Sequence, residues 1–318
     1  MSGHLKTSME SSGERLTYLP LQSLGGFARI APVSPTIRID RMKALTSLVV
    51  ISSLFALSSF SVTANTVDTA AIQAAVDNPV RSATNKARDQ YRHPVETLSF
   101  FGVTPQSTVV EISPGGGWYT EILAPLLQQQ GKYYAAHQPK DATSEYAKKG
   151  RADYLAKLAA NQVYSKVEVT EFSAAGGKQI APAGSADVVL TFRNLHNWYM
   201  AKGDESLLTA FISFHTALKP GGVLGVVEHR LPESKLNTDW QKSGYMPQSL
   251  VIKLAEQAGF VLEGSSEVNA NPKDTAGHPG GVWALPPTYT NKEQDKAKYQ
   301  AIGESDRMTL KFRKPATK

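Results

Sequence analysis

The sequence predicts an α/β fold built on one mostly parallel sheet of seven strands, with an antiparallel last strand and an N-terminal helical cap. From Thr108 onward, short apolar β-branched runs alternate with amphipathic segments, which is typical of a parallel sheet covered on both faces. Residues 307–313 alternate apolar and polar side chains, as an antiparallel or edge strand does. Residues 67–76 and 80–99 have helical spacing. One domain, residues 65–318, contains all these elements.

Residues 1–64 are predicted to be a leader. Lys43 precedes an apolar stretch that ends in Val62-Thr63-Ala64, and residues 42–64 therefore resemble a secretory signal peptide cleaved after Ala64. A retained anchor is the alternative, but serines dilute the stretch. We expect translation to begin at Met42, with residues 1–41 untranslated or disordered. The mature protein is then exported, periplasmic and without a stable membrane span.

The composition excludes several classes of protein. The 318 residues include no Cys, which excludes disulfide scaffolds, thiolate metal sites and cysteine nucleophiles. With 41% hydrophobic and 19% charged residues, the chain can bury a core. The formal charge of +6 divides between the leader and the domain, where 28 basic residues meet 25 acidic ones. No basic stripe interleaved with aromatic residues appears, so we expect no nucleic-acid partner.

The elements of the domain follow in a regular order. A helical cap over residues 65–104 is expected to break at Pro94. The predicted strands are 109–112, 132–137, 167–172, 187–192, 223–229, 260–268 and 307–313, and the predicted helices are 119–129, 144–160, 204–218 and 247–258. The segment 269–306 is too long for a plain hairpin and contains NPKD, HPGG and LPP. We interpret it as a partly ordered lid over the site.

A glycine turn follows the first strand. Residues 109–112 run directly into Ser113-Pro114-Gly115-Gly116-Gly117 and then into a helix, so a ligand can approach the backbone closely. Glu111 lies at the end of the strand, where its carboxylate can accept a hydrogen bond from a ligand. The spacing is neither G-x-G-x-x-G nor that of a P-loop. A tight strand-to-helix connection without a ligand is the alternative.

The string VVEISPGGGWYTEIL resembles the first motif of class I S-adenosylmethionine-dependent methyltransferases. DVVLTF, LKPGGVLGVVEH and AEQAGFVLEG resemble the later motifs in the family's order. GGGWYTEILAP, TFRNLHNW, KPGGVLGVVEHR and SDRMTLKF resemble a group of predicted bacterial methyltransferases that carry signal peptides. The resemblance covers roughly residues 90–313. It implies a Rossmann-like fold, S-adenosylmethionine as cofactor, and cofactor binding by Glu111, Gly115 and Gly117.

Two positions depart from the family pattern. Ser113 stands where the first glycine is usual, and His137 and Gln138 stand where an acid usually binds the ribose hydroxyls. His and Gln can still form hydrogen bonds with a diol, as neutral partners. Phe172 stacks on the adenine or packs in the core. The full set of predicted cofactor-binding residues is Glu111, Ser113, Gly115, Gly116, Gly117, His137, Gln138, Phe172 and Asn194.

The carboxyl ends of the strands also collect aromatic and titratable residues. Ligands of open α/β sheets bind beyond these ends. The residues that follow a strand end, on segments expected to be irregular, are Trp118, Trp198, Trp240, Trp283, His137, His196, His229 and His278. Tryptophans gathered there usually line a pocket or an interface. We therefore expect an aromatic rim around a small-molecule acceptor.

Methyl transfer depends mainly on positioning, because the donor is already activated; a base is needed only when the acceptor carries a proton. His196 is the first candidate base and His229 the second, since an imidazole is the usual side chain for proton transfer near neutral pH. The alternatives are that His196 caps the next helix or bonds to the backbone, and that His229 and Glu228 form a buried hydrogen-bonded pair. Arg193 follows the fourth strand directly and could bind a carboxylate or orient the substrate. A salt bridge to Glu228 is the alternative for Arg193.

Three other functions are alternatives to methyl transfer. A metal-dependent hydrolase would use some of His137, His196, Glu228, His229 and His278, but no H-x-x-x-H or H-E-x-x-H spacing supports it, and we predict no metal. A nicotinamide oxidoreductase lacks its glycine spacing and an acid ending the second strand. The main alternative is an exported, non-catalytic binding protein with a methyltransferase-like fold. We predict an S-adenosylmethionine-dependent methyltransferase acting on a small acceptor.

Overall fold

The computed structural model describes residues 68–316. The predicted leader, its signal peptide at 42–64 and the proposed start at Met42 lie outside the described residues. Within the described range, no helix combines the length and the apolar character needed to cross a membrane.

Seven predicted strands are present, together with a short eighth one. The strands are β1 Thr108–Ile112, β2 Lys132–His137, β3 Val167–Glu171, β4 Ala186–Phe192, β5 Leu218–Leu231, β6 Met246–Pro247, β7 Val261–Ser266 and β8 Arg307–Arg313. The sheet order is β3-β2-β1-β4-β5-β8-β7, and the two-residue β6 pairs with β5. The α/β class is confirmed. The sequence did not predict β6, which contains Pro247.

β8 is antiparallel to both of its neighbours, β5 and β7, while β1 to β5 pair in parallel. The prediction of an antiparallel last strand is confirmed. The edge-strand alternative is wrong, because β8 lies inside the sheet and β7 forms the edge. An antiparallel β8 starts where β5 ends, so Arg307 pairs with His229.

The helices cover both faces of the sheet. They are α1 Thr69–Asp77, α2 Ala83–Lys86, α3 Asp89–Arg92, α4 Pro94–Phe100, α5 Thr120–Leu127, α6 Glu145–Ala159, α7 Leu195–Lys202, α8 Asp204–Ala217, α9 Gln248–Gln257 and α10 Lys296–Ile302. The expected break at Pro94 is present: His93 has a left-handed backbone (φ 39°), and Pro94 opens α4, where its missing N–H costs nothing.

Alternation along β1 separates two cores. Val110 and Ile112 pack with residues of α8 and α9, whereas Val109 packs with residues of α1 and α5 on the opposite face. Because both faces of the strands are buried, polar side chains can gather at the edge formed by the carboxyl ends of the strands. From β1 the chain proceeds to β2 and β3 on one side, and from β4 to β5 on the other, so a crevice opens between the ends of β1 and β4.

One expectation about this edge is wrong. The sequence predicts an irregular segment around Trp198, but this residue lies inside helix α7. The segment LHNWYMAK contains His, Asn, Trp and Tyr, which are weak helix formers, and no side chain caps its start. Tertiary packing therefore stabilises α7, and Trp198 is buried in the core.

Candidate functional site

Three adjoining cavities lie at the carboxyl edge of the sheet. The large cavity, about 750 Å³, lies over β2, α6 and Phe172. The cap cavity, about 320 Å³, lies between Glu111 and the helical cap. The arginine cavity, about 260 Å³, lies beside His196 and Trp283. The large and cap cavities share Ser113, Gly115, Gly116 and Asn194, and the cap and arginine cavities share Arg88 and Arg193.

The glycine turn forms the wall between the large and cap cavities. Ser113, Gly115 and Gly117 have left-handed backbones, with φ of 50°, 58° and 79°. A Cβ at Gly115 would meet open space, whereas one at Gly117 would lie 3.2 Å from Thr120 and Tyr154. Gly117 is thus required by both its φ and its packing. At Ser113, a non-glycine residue in this conformation marks local strain of the kind found at ligand sites.

Glu111 is buried and lines the cap cavity. Its Oε2 accepts hydrogen bonds from Thr120 (3.4 Å) and Tyr133. Among residues 68–316, Oε1 has no hydrogen-bond partner. Burial raises the pKa of Glu111 to about 7, although the bonds from Tyr133 and Thr120 act to lower it. The carboxyl group therefore has one oxygen available for a cationic ligand group, which would stabilise its charged form.

His137 and Lys157 hold the glycine turn from the protein side. The Nδ1 of His137 accepts from the backbone of Gln138 (2.8 Å), which leaves the proton on Nε2 to be donated to the carbonyl of Gly115 (3.2 Å). Lys157 donates to the carbonyl of Gly116 (3.0 Å). Burial lowers the pKa of His137. Both ring nitrogens are engaged, so a ligand hydroxyl in the large cavity finds Gln138 more accessible than His137.

Phe172 packs in the core and also lines the wall of a cavity. It lines the large cavity, and its ring centroid lies 4.7 Å from that of Trp198 and 5.6 Å from that of Phe214 within the core. Asn194 spans the crevice by donating to the carbonyl of Ile112 (3.0 Å), and it faces both the large and cap cavities.

The helical cap closes over the glycine turn through Trp118. The centroid of its ring lies 5.0 Å from the guanidinium carbon of Arg81 and 4.6 Å from that of Arg92. Its indole N–H donates to the carbonyl of Asn85 (3.1 Å). Cation–π contacts of this kind attach the cap to the sheet edge and bring Arg88 and Arg92 to the cap cavity.

His196 and Glu228 form a hydrogen-bonded pair beside the arginine cavity. The Nδ1 of His196 lies 2.9 Å from Oε1 of the fully buried Glu228. Oε2 of Glu228 accepts a hydrogen bond from the backbone N–H of Leu195 (2.6 Å). Oε1 accepts a second hydrogen bond, from the backbone N–H of His229 (2.8 Å). A carboxylate that accepts the Nδ1 proton leaves Nε2 of His196 as a proton acceptor.

His229 is held differently. Its Nδ1 lies 2.5 Å from Oγ of Ser305, and burial, followed by the charges of His196 and Arg307, lowers its pKa well below the ordinary value. This neutral His229 is a weak base, which favours His196 as the proton acceptor. Atoms of His196, Glu228 and His229 lie within 4.8 Å of one another, as a metal donor set would. Both oxygens of Glu228 already accept hydrogen bonds from protein groups. The arrangement therefore favours a hydrogen-bond network over a cation site.

Arg193 lines both the cap and arginine cavities. Its backbone is left-handed (φ 59°), and its N–H donates to the carbonyl of Val227 (2.7 Å). The alternative of a salt bridge to Glu228 is wrong, because Glu228 is occupied by the contacts above. In the described part of the chain, the guanidinium of Arg193 has neither a hydrogen bond nor an ion pair. Burial lowers the pKa of Arg193 to about 10.

The rim prediction is met in part. Trp118, Trp198 and Trp283 each line one of the three cavities, but Trp240 stacks on Tyr199, at 5.1 Å, away from them. His278 is buried against Asp274 (2.8 Å) and lines none of the three. The segment 269–306 contributes Trp283, Pro286, Pro287, Thr288, Glu304 and Ser305 to the arginine cavity.

Sequence reasoning missed Arg88, Glu304 and Arg307 as site residues. The first lies in the cap and the other two precede or open β8, so nothing local connects them. The sequence did contain one signal for Arg307. A last strand that is antiparallel to the others begins at the edge where the parallel strands end, so the first residue of β8 lies at the carboxyl edge.

No family model and no curated protein matches the sequence. Solved structures that it resembles include a SAM-dependent methyltransferase from Aquifex aeolicus, at 16% identity and a TM-score of 0.48, covering 78% of this chain and 98% of that chain. Geranyl diphosphate C-methyltransferase from Streptomyces coelicolor A3(2) is 13% identical, with coverages of 76% and 87% and a TM-score of 0.48. The [4+2]-cyclase SpnF is 15% identical, with coverages of 76% and 86% and a TM-score of 0.48. A likeness at this level says nothing about the activity of this chain.

Proposed function

We propose that the protein is an S-adenosylmethionine-dependent methyltransferase acting on a small-molecule acceptor. One observation carries the proposal. The large and cap cavities meet over the Ser113–Gly117 turn, at the crevice between β1 and β4, with a free oxygen of Glu111 at one end and Phe172 at the other. The crevice between strands that lead to opposite sides of an open α/β sheet is where such folds bind nucleotide-like ligands.

The residues of the two cavities fit this cofactor. Glu111 would bind the ammonium group of its amino-acid end, the open backbone at Gly115 and Gly116 would allow close approach, and Gln138 would meet the ribose hydroxyls. Phe172 offers an aromatic edge for the adenine. The large cavity has the volume of a typical small-molecule site. When bound, the cofactor supplies a methyl group already activated on a sulfonium.

The protein's own contribution is positioning and proton removal. The arginine cavity adjoins the cap cavity through Arg193 and Arg88, so an acceptor placed there would lie next to the cofactor's amino-acid end. His196 Nε2 accepts the proton that a hydroxyl or ammonium acceptor must lose. Glu228 holds His196 in the required tautomer, and both side chains are buried.

Calorimetric titration of the purified protein with S-adenosylmethionine and S-adenosylhomocysteine tests the proposal. We expect one site for each ligand. If neither binds, the methyltransferase proposal is wrong and the non-catalytic binding protein becomes the better account.

We also propose that the protein is exported to the periplasm after removal of the signal peptide, residues 42–64. The support is the signal-peptide pattern of residues 42–64 in the sequence. Sequencing the N-terminus of the protein from a periplasmic fraction should give Asn65 as the first residue. Recovery of the intact chain from the cytoplasm would contradict export.

A further inference from the structure

The arginine cavity contains more positive charge than the described protein neutralises. Arg88, Arg193 and Arg307 line it, and Glu304 is the acidic residue in its wall. Arg92 lies behind, against the same glutamate. Four guanidinium groups therefore lie in or next to the wall of this cavity, which contains one carboxylate.

Glu304 contacts three of these arginines. Its Oε1 lies 2.5 Å from Nε of Arg88, its Oε2 lies 3.3 Å from Nε of Arg92, and Arg307 also contacts Oε2. Two buried nitrogens of the cluster, Nη1 of Arg92 and Nε of Arg307, still have no hydrogen-bond partner within residues 68–316. Arg193 is not among the described residues that Glu304 contacts.

The positive field is visible in the neighbouring groups. Burial lowers the pKa of Arg193 first, and the charge of Arg307 lowers it further. The pKa of Arg92 falls well below its ordinary value through burial and then through Arg193. Burial also lowers the pKa of His229, and the neighbouring positive charges, including those of Arg307 and Arg193, lower it further. An anion in the cavity would relieve all three groups.

Arg230, at the end of β5, shows how this chain treats a structural arginine. Its Nη1 and Nη2 donate to the two oxygens of Glu267 (2.8 and 2.7 Å), and its Nε donates to Asp306 (2.9 Å). Arg230 thus forms ion pairs with two carboxylates. Arg193 has none among the described residues, although its backbone is held in a strained left-handed conformation that places it at the cavity wall.

We propose that the acceptor is a small carboxylic acid whose carboxylate binds the Arg193 guanidinium, with the group to be methylated turned towards His196. This assignment rests on the proposed function, whereas the anion site itself does not. One free guanidinium offers two parallel donors, which match one carboxylate. The cavity, at about 260 Å³, suits a small molecule, and Arg193 and His196 both line it.

The test uses thermal unfolding of the cofactor-free protein in sodium chloride and, at equal ionic strength, in sodium acetate, benzoate or malonate. The variants are Arg193→Met and, as a matched control with a paired arginine, Arg230→Met. We expect at least one carboxylate to raise the wild-type Tm by about 3 °C or more once it reaches ten times its dissociation constant. Arg193→Met should lose this shift and have a higher Tm than wild type in dilute chloride. Arg230→Met should have a lower Tm but keep the shift.

Carboxylate shifts that are equal in wild type and Arg193→Met, or absent from both, would overturn the inference. So would a shift produced by sodium phosphate and by none of the carboxylates. Because no cofactor is present, the two proposals can fail separately. Binding of S-adenosylhomocysteine without a carboxylate shift refutes the acceptor assignment alone, whereas a carboxylate shift without that binding refutes the methyltransferase and leaves an anion site.

Discussion

Two buried carboxylates lie at the carboxyl edge of the sheet, Glu111 at the end of β1 and Glu228 near the end of β5. They differ in the hydrogen bonds by which the protein stabilises their charge. Glu228 accepts four hydrogen bonds, from three backbone N–H groups and the ring of His196. Glu111 accepts two, both from hydroxyl groups and both at one oxygen. Burial raises the pKa of Glu111 to about 7.

The difference separates a group that positions another residue from a group that awaits a ligand. Backbone amides and an imidazole stabilise the charge of Glu228 inside the folded chain, so its role is to orient His196. Glu111 accepts no hydrogen bond from a backbone N–H or an imidazole among the described residues. Burial raises its pKa more than Tyr133, Thr120 and the charges of Arg193 and Lys157 together lower it. A cationic ligand group in the cap cavity would stabilise the charged carboxylate. Functional sites commonly retain such locally unfavourable groups.

The largest expected effect concerns the Glu228 side of the comparison. If Glu228 acts through His196, then His196→Ala removes the base and should lower turnover by about 10²–10⁴. The measurement is release of S-adenosylhomocysteine with an acceptor found among the carboxylic acids. His215→Ala is the matched control, because His215 lies on α8 and lines none of the three cavities. Equal turnover in the two variants would remove His196 from the mechanism.

The next effect concerns the Glu111 side. Glu111→Gln keeps an oxygen for Tyr133 and Thr120 but removes the charge, so affinity for S-adenosylhomocysteine should fall about 10- to 100-fold. Calorimetry measures it. Glu263→Gln, which alters a glutamate on β7 paired with Lys311 and Arg313, should leave the affinity unchanged. An affinity at Glu111→Gln within twofold of wild type would show that the carboxylate does not hold the cofactor.

The third effect is on stability, where the two glutamates should differ in sign. The pKa of Glu111 is raised from 4.5 to about 7, so the folded state keeps a proton that the unfolded chain releases, and stability falls as pH rises through this window. At pH 8, Glu111→Gln should therefore stabilise the cofactor-free protein, by up to about 3 kcal/mol. Glu228→Gln places an NH₂ group against backbone donors and should destabilise it by about 1–3 kcal/mol. Denaturant unfolding at pH 8 measures both, and changes of the same sign would contradict the comparison.

The sequence predicted the Glu111 side well because its parts are adjacent in the chain. A buried strand, an acid and a glycine turn lie within residues 108–117, and local rules suffice to place them at the carboxyl edge. The antiparallel β8 was likewise predicted from its period-two pattern in residues 307–313. The weak helix formers of α7 hid a helix that only packing stabilises.

The Glu228 side depended on tertiary contacts and was predicted incompletely. His196 and Glu228 are 32 residues apart and meet because β4 pairs with β5. Arg88 and Glu304 are 216 residues apart, and their contact requires the cap and the start of β8 to meet at one edge. For His137, the sequence predicts the position at the carboxyl edge but not the contacts. Its hydrogen bonds with Gly115 and with the backbone of Gln138 depend on the folded geometry of the turn.

The most direct measurement of the central claim is the affinity of the wild-type protein for S-adenosylhomocysteine between pH 5.5 and 8. If the Glu111 carboxylate binds the ammonium group, protonation below its pKa of about 7 removes the attraction. The dissociation constant should then rise about tenfold per pH unit below 7 and level off above it, and Glu111→Gln should abolish this dependence. An affinity that is the same at pH 5.5 and pH 8, or absent throughout, would contradict the claim.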